Sequence, residues 1–241
     1  MKKTGEEVLG SINELKIVQR NDHQNYTLDS RLLSDFCRIN RHVKKILDIG
    51  TGNAILPLLL SQKSKAEITG IEILKISADL AVKNVELNNL SDRIKIIEGD
   101  IRKWSDYFRP AEFDQIITNP PFFKYDGNDD QINDLEQLSV ARHEYNIKLE
   151  EIIQISSVLL KNRAYFTMVH RSERLAEILD LLVKYRLEPK RIRFCHTKKD
   201  APAKILLIEA AKGAGKSLVI ESPLILSESS CKIQISGRTG I

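Results

Sequence analysis

The sequence predicts an α/β architecture: a doubly wound, mostly parallel sheet of seven strands with an antiparallel hairpin near its C-terminal end. Three observations carry this expectation. Short β-branched runs alternate with amphipathic stretches of helix length, which implies βαβ units, and right-handed crossovers then cover both faces of a parallel sheet. The last two runs are separated only by residues 197–202, too few for a parallel crossover, so they pair antiparallel. The 241 residues, 42% hydrophobic and 29% charged, suffice for a packed core without disulfide support.

Residues 1–44 have the length of an N-terminal helical cap rather than of a domain. Lys45 to Ile49 reads as the first strand and is broken by Gly50-Thr51-Gly52. Residues 53–62 follow as a buried helix, in which Pro57 is tolerated only within the first turn. Residues 67–73 form a second strand, and residues 75–89 a helix with Ile76, Leu80, Val85 and Leu87 near helical spacing. Strands are expected at 93–98, 113–118, 163–169, 191–196 and 203–210, with helices at 149–160 and 172–185. One domain results: the cap (1–44), a core (45–211) and an irregular Gly-, Ser- and Lys-rich extension (212–241) with one or two short strands.

Composition narrows the function classes. The net charge of +4 is mild, so any polyanion site must come from local clustering. Cys37, Cys195 and Cys231 are odd in number and widely spaced, without the pattern of a metal site; no metal is expected and the thiols read as reduced. No apolar run reaches the ~20 residues of a membrane helix, and the first residues lack the apolar stretch of a signal peptide. A cytoplasmic chain follows, and the lack of an obvious apolar surface helix makes it a monomer.

The turn Asp48-Ile49-Gly50-Thr51-Gly52 stands where the first strand hands over to its helix. Glycine there lets the backbone turn sharply and a ligand approach closely. Glu72 ends the second strand, 20 residues beyond Gly52, where a carboxylate can accept from both hydroxyls of a ribose. Asp100 ends the third, where it can reach the edge of an adenine. A dinucleotide loop would need glycine at position 55, which is Ile. The pattern Asp48-x-Gly-x-Gly with Glu72 instead resembles the cofactor loop of Rossmann-like S-adenosyl-L-methionine-dependent methyltransferases, many of which carry a third glycine at the position of Ala54.

Asn119-Pro120-Pro121-Phe122, at the end of the fourth strand, is the most specific signal. Two prolines fix φ twice and remove two donors, and Asn119 is driven out of the helical region. The turn therefore presents carbonyls suited to an amino group: the Asn119 side-chain oxygen and the Pro120 backbone oxygen can each accept one N–H. Phe122 offers a stacking face, worth roughly 1–3 kcal/mol per base. The tetrad resembles the (Asn/Asp)-Pro-Pro-(Tyr/Phe) motif of methyltransferases acting on adenine N6, guanine N2 or glutamine N5.

Residues 48–60 (DIGTGNAILPLLL), 119–123 (NPPFF), 141–144 (ARHE) and 200–213 (DAPAKILLIEAAKG) together resemble the bacterial valine-tRNA adenine-N6 methyltransferases, of the small-methyltransferase group. The similarity spans roughly residues 15–225, and residues 26–30 resemble that family's N-terminal segment beside the cofactor. The resemblance implies cofactor contacts at Asp48, Gly50, Thr51, Gly52, Glu72, Asp100, Tyr26 and Asp29, and a catalytic turn at Asn119, Pro120, Pro121 and Phe122. It implies S-adenosyl-L-methionine as cofactor and the anticodon stem-loop of a tRNA as partner. Rival families depart from this sequence. Release-factor glutamine methyltransferases usually carry a longer helical domain and Tyr after the prolines, and ribosomal-RNA guanine-N2 enzymes commonly carry His where Phe123 stands. A non-catalytic adenosyl-binding module that only docks on RNA is the alternative outside catalysis.

Charge supports an RNA partner separately. Arg186, Lys190, Arg191, Arg193, Lys198, Lys199 and Lys204 face only Glu188 and Asp200 within one segment, a local excess larger than the net charge of the whole chain. Residues 126–136, by contrast, hold five acids and no base, and are expected to form a mobile, phosphate-repelling loop. Gly213 to Ser217 ends like a phosphate-binding loop but has Ala at position 210 and reads as a turn. Arg142, His143 and Glu144 read equally as acid–base machinery or as a brace for the loop beside the catalytic turn, and His170, Cys195 and His196 are read as packing or surface residues.

Overall fold

A computed structural model describes residues 7–20, 28–122 and 147–226. The chain opens with a hairpin, β1 (Glu7–Ile12) and β2 (Leu15–Arg20), followed by α1 (Leu28–Phe36). β3 (Lys45–Ile49), α2 (Ile55–Ser61), β4 (Glu67–Glu72), α3 (Lys75–Leu87) and β5 (Ile94–Glu98) come next. After a 3₁₀ segment (Ile101–Asp106) follow β6 (Phe113–Thr118), α4 (Leu149–Leu159), β7 (Leu160–Arg171) and α5 (Leu175–Lys184). β8 (Leu187–His196) and β9 (Ala203–Lys212) form the antiparallel hairpin, and two short strands, β10 (Val219–Ile220) and β11 (Leu224–Ile225), pair parallel to β8.

The seven long strands lie in the order β8-β9-β7-β6-β3-β4-β5, parallel from β7 to β5. The expected doubly wound sheet and terminal hairpin are therefore present, and the extension adds its two short strands at one edge. From β3 the chain moves outward through β4 to β5, then returns to lay β6 on the other side of β3. That reversal makes the β3–β6 seam a topological switch point, and open α/β sheets bind ligands beyond the carboxyl ends of their strands at such a point.

Both faces are covered, so the central strands are apolar almost throughout rather than alternating. On one face Leu33, Phe36, Leu58, Leu60, Ala81 and Val85 of α1, α2 and α3 pack over Ile46, Ile68 and Ile117. On the other, Ile152, Ile153, Ile178 and Leu182 of α4 and α5 pack over Leu47, Ile116, Phe166 and Met168. Pro57 is the third residue of α2, within the first turn, where the missing N–H costs no intrahelical bond.

The expected helical cap is corrected. Among the described residues ahead of β3, the larger element is the β1–β2 hairpin, turned by Asn13 and Glu14 at φ 47° and 71°. Positive φ at both central residues is what a two-residue hairpin turn requires, and Asn is among the residues that tolerate it. The outer edge of β2 is closed by a helix. Asn84 and Asn88, one turn apart on α3, accept from the N–H of Val18 and Lys16 and donate to the same residues' carbonyls. The two side chains thus replace a neighbouring strand, and Asn84 also donates to Asn53 O in the glycine turn.

Candidate active site

The register places the two sequence motifs side by side. Ile49 pairs with Ile71 on one side and with Thr118 on the other, and Glu72 pairs with Glu98. The next residues, Asn119, Gly50, Glu72 and the Gly99-Asp100 end of β5, therefore form a row across four adjacent strand ends. At about 4.8 Å per strand the row is roughly 14 Å long.

The glycine turn is built by backbone conformation and by carboxylates. Gly50 and Gly52 sit at φ 71° and 56°, and a Cβ added to either meets nothing within 4 Å. Backbone strain, rather than crowding by neighbours, therefore demands glycine, and the space above the turn is open. Gly70 has the opposite reason: a Cβ there would strike Thr51 at 2.7–2.9 Å. Its absence lets Thr51 lie flat on β4 and donate to Asp48 Oδ2 at 2.7 Å. The other oxygen, Oδ1, is buried with no hydrogen-bond partner among the described residues. Burial pushes the Asp48 carboxyl up to about 7, against the pull of the Thr51 hydroxyl.

Glu72 holds the turn from below, accepting from Gly52 N at 2.8 Å and Leu74 N at 2.9 Å. Burial raises its pKa, opposed by the backbone N–H groups of Leu74, Gly52 and Ile73. Asp100 caps the 3₁₀ segment and is gripped by the Arg102 guanidinium, which holds its carboxyl below the usual range. A buried carboxylate oxygen without a partner among the described residues, below a glycine turn and with Glu72 and Asp100 on the next two strand ends, suits a ligand with hydroxyls and a positive charge. The residues present thus fit an adenosyl sulfonium cofactor.

On the other side of the switch point, Asn119 is half-buried and its Nδ2 donates to Ser30 Oγ in the first turn of α1 at 3.3 Å. Phe122 lies against the His170 ring (centroids 5.4 Å apart, planes 57° apart), and the Arg171 guanidinium carbon is 5.5 Å from the Phe122 centroid. β7 runs three residues beyond Met168, the partner of β6's last residue, so Val169, His170 and Arg171 extend past the end of β6 beside the Asn119–Phe122 turn. His170 is fully buried. Its Nδ1 accepts from Arg171 N, which leaves the proton on Nε2, and Nε2 has no partner among the described residues. Burial, with Arg174 nearby, drives its pKa down to about 3, so the ring is neutral. Asp29, beside Ser30, is pushed up by burial against the pull of Arg171. Tyr26, Phe123, the acidic residues 126–136 and Arg142, His143 and Glu144 lie outside the described residues.

The basic segment is divided by the hairpin's direction. Ala203 pairs with His196 and Ile205 with Arg171, so the β8–β9 turn rises from the same sheet edge as the Asn119–Phe122 turn. Lys198, Lys199 and Lys204 are exposed there. Arg186 and Lys190 lie toward the opposite edge, where Leu187 pairs with Lys212; Lys190 bonds Gly215 O and Ser217 Oγ. Arg193 is half-buried and donates to Ser222 O. Arg191 is a correction. It is buried, paired through two nitrogens with Glu209 (2.8 and 2.9 Å), bonded to Glu221 and Phe36 O, and stacked on Phe36. Its charge is spent pinning β8 to β9, α1 and the C-terminal extension, and it cannot meet a phosphate.

Ser30, His170 and Arg171 as neighbours of the catalytic turn were not found from sequence. His170 and Arg171 sit at the end of a strand expected to stop at residue 169, and Ser30 reaches Asn119 only through tertiary packing. The polar His-Arg pair ending an apolar run was the available signal.

An α/β sheet with a glycine turn, two strand-end carboxylates and an Asn-Pro-Pro-Phe turn across its switch point is the arrangement of a Rossmann-like methyltransferase. Comparison with known proteins agrees: residues 23–166 match the methyltransferase small domain family. A tRNA1(Val) (adenine(37)-N6)-methyltransferase of Bacteroides fragilis is 32% identical over 164 residues, covering 68% of each chain. One of Porphyromonas gingivalis is 35% identical over 166 residues, covering 68% of this chain and 64% of its own. The chain belongs to the methyltransferase small domain family, among relatives bearing that tRNA methyltransferase name. Among solved structures, a protein described as a predicted O-methyltransferase of Agrobacterium tumefaciens superposes with a TM-score of 0.65 at 22% identity, over 82% of this chain and 86% of its own. A geranyl diphosphate C-methyltransferase of Streptomyces coelicolor, in complex with S-adenosyl-L-homocysteine, gives 0.56 at 11%, over 76% and 78%. These two share the fold. No helix among the described residues is long and apolar enough to cross a membrane.

Proposed function

We propose that this chain methylates the N6 amino group of an adenine in the anticodon loop of a tRNA, valine tRNA foremost, with S-adenosyl-L-methionine as donor, acting as a monomer in the cytoplasm. The observation that carries the reading is the pairing of Thr118 with Ile49, which sets the amine-acceptor turn directly beside the glycine turn. When bound, the cofactor supplies an electrophilic methyl on a sulfonium that departs as a neutral thioether. Glu72, with lone pairs not used by Gly52 and Leu74, would take the ribose hydroxyls, Asp100 would hold the adenine edge, and Asp48 would support the turn against the cofactor.

Asn119 Oδ1 and Pro120 O accept the two N–H groups of the target amine. That draws its nitrogen toward sp³ geometry and points the lone pair outward. The amine so held would take the methyl that the bound donor supplies, with the sulfur leaving as a neutral thioether, and would then lose one proton to water. No general base is needed, so the protein contributes positioning and exclusion of water. Phe122 stacks the flipped base. Lys198, Lys199 and Lys204 meet phosphates on the same edge, with Arg193 behind them.

The test incubates the protein with methyl-labelled S-adenosyl-L-methionine and total tRNA from cells lacking its gene. Label in N6-methyladenosine of a valine tRNA is expected. Label confined to protein, or to no substrate, overturns the reading.

A further inference from the structure

Asn53 stands between two left-handed residues of the glycine turn, Gly52 at φ 56° and Ala54 at φ 65°, and is buried. Its carbonyl receives no donor from the helix that follows. Ala54 breaks the helical path, and the residue four places on is Pro57, which carries no N–H. A buried carbonyl left without a donor costs as much as a lost hydrogen bond. The donor comes instead from α3: Asn84 Nδ2, 31 residues away in sequence, reaches Asn53 O at 3.0 Å.

We propose that Asn84 is a positioning residue of the glycine turn, holding it in its cofactor-binding shape and coupling it to the β1–β2 hairpin through one amide. Asn84 is fully buried on the inner face of α3, beside Ala81 and Val85. An amide so placed is costly unless its hydrogen bonds are made, and here they are. Oδ1 accepts from Val18 N at 2.6 Å, while Nδ2 donates to Val18 O at 3.1 Å and to Asn53 O at 3.0 Å. A backbone N–H only donates and a carbonyl only accepts, so these three partners fix which end of the amide faces which. The turn is thereby gripped at two successive residues from two elements: Glu72 of β4 holds Gly52 N at 2.8 Å, and Asn84 of α3 holds the next carbonyl. Without the second grip Asn53 O turns toward water, and the cofactor must restore the turn as it binds, which appears as lost affinity. Asn88 supplies the comparison. One helical turn along, it makes the same pair of bonds to Lys16 of β2, but its further bond goes to Asn84 O rather than to the glycine turn.

This inference rests on the glycine turn being the cofactor site, and its test keeps the two apart. The probe is S-adenosyl-L-homocysteine, titrated calorimetrically. Asn84→Leu, similar in volume but without polar atoms, is expected to weaken its binding about tenfold, the order expected of a buried acceptor left unpaired. Asn88→Ala, which loosens only the hairpin, should stay within about twofold of the parent. Equal weakening by both variants would make Asn84 a prop for the hairpin alone, and unchanged affinity in Asn84→Leu would remove it from the site; either overturns the proposal. The deciding measurement uses the unaltered chain, so it does not depend on a variant folding. Val18 N and Lys16 N lie on the same edge of β2, each bonded to an asparagine of α3, and amide hydrogen exchange compares them directly. Saturating S-adenosyl-L-homocysteine should slow exchange at Val18 by at least about fivefold and at Lys16 by less than about twofold. Equal slowing at both, or slowing at neither, would also overturn the coupling. A parent chain that binds no S-adenosyl-L-homocysteine counts against the cofactor role of the turn, whereas a parent that binds it without distinguishing the two amides counts against Asn84 alone.

Discussion

On the β4–β5 side of the switch point, the groups beside the crevice are held by neighbours within 20 residues in sequence. Thr51 bonds Asp48, Leu74 and Gly52 bond Glu72, and Arg102 grips Asp100. On the β6–β7 side the partners come from far along the chain: Ser30 for Asn119, and His170 and Arg171 for Phe122. The carboxylates of the first side are placed by local geometry and survive small changes on the second. The second exists only when α1, β6 and the overhang of β7 are all docked, so it can be disturbed from a distance. The donor half and the acceptor half should accordingly fail separately.

The sharpest way to separate them is Asn119→Ala. It removes an acceptor from the amine and nothing from the β3–β5 half, so turnover should fall at least a hundredfold while cofactor affinity stays within about twofold. Isothermal titration and single-turnover kinetics on the same preparation decide it. A parallel loss of cofactor binding would mean that the two halves are not independent.

A smaller effect tests the division of the basic segment. Lys198→Glu with Lys199→Glu should raise the KM for tRNA about tenfold. It should also reduce the slope of log affinity against log salt by roughly 2, one for each lost phosphate contact. Arg186→Glu with Lys190→Glu, toward the far sheet edge, should change KM less than twofold. Equal effects from both pairs would mean that overall charge, rather than the hairpin beside the catalytic turn, attracts the tRNA.

The same contrast explains what could be read from the chain alone. The parallel sheet, the glycine turn with Glu72 and the proline-locked turn were legible because each depends on residues adjacent in sequence or on strand ends that a βαβ order brings together. The β1–β2 hairpin was not: Asn13-Glu14 is a weaker turn signal than Asn-Gly, and β2 is completed by Asn84 and Asn88 of a distant helix. Arg191 was misread as a surface cation because its partners Glu209, Glu221 and the Phe36 carbonyl are scattered along the sequence. A basic run reveals charge but not direction, and only the strand register divides it between two edges.

Protonation distinguishes the halves again. Asp48, raised by burial to about 7, binds its proton more tightly in the folded chain than in the unfolded one, so its contribution to stability shrinks as pH rises from about 4 through 7. His170, lowered to about 3, does the reverse: its contribution is whole above about 6.5 and is lost as pH falls toward 3. Between pH 6.5 and 4 the two oppose each other. Asp48→Asn removes the first and leaves the second, so the variant should lose stability on acidification more steeply than the parent. Melting temperatures across that range measure it, and parallel curves would show that Asp48 stays ionised in the fold.

The smallest expected effect concerns Ala54, which stands at φ 65° in the left-handed region where many related loops carry glycine, and whose methyl is fully buried. Left-handed backbone costs a non-glycine residue about 1–2 kcal/mol. Ala54→Gly relieves that, but it exposes the loss of a buried methyl, about 0.8 kcal/mol, and adds about 0.4–1 kcal/mol of unfolded-chain entropy. The terms nearly cancel, so the melting temperature should move by no more than about 3 °C. Ala54→Val meets the same strain with a branched side chain in a filled site and should lower it well beyond that. If Ala54→Gly instead stabilises the chain strongly while cofactor affinity drops, the strained alanine is holding the donor half in a shape that the loop would not otherwise keep. The local half would then depend on the core beneath it as much as the acceptor half depends on α1.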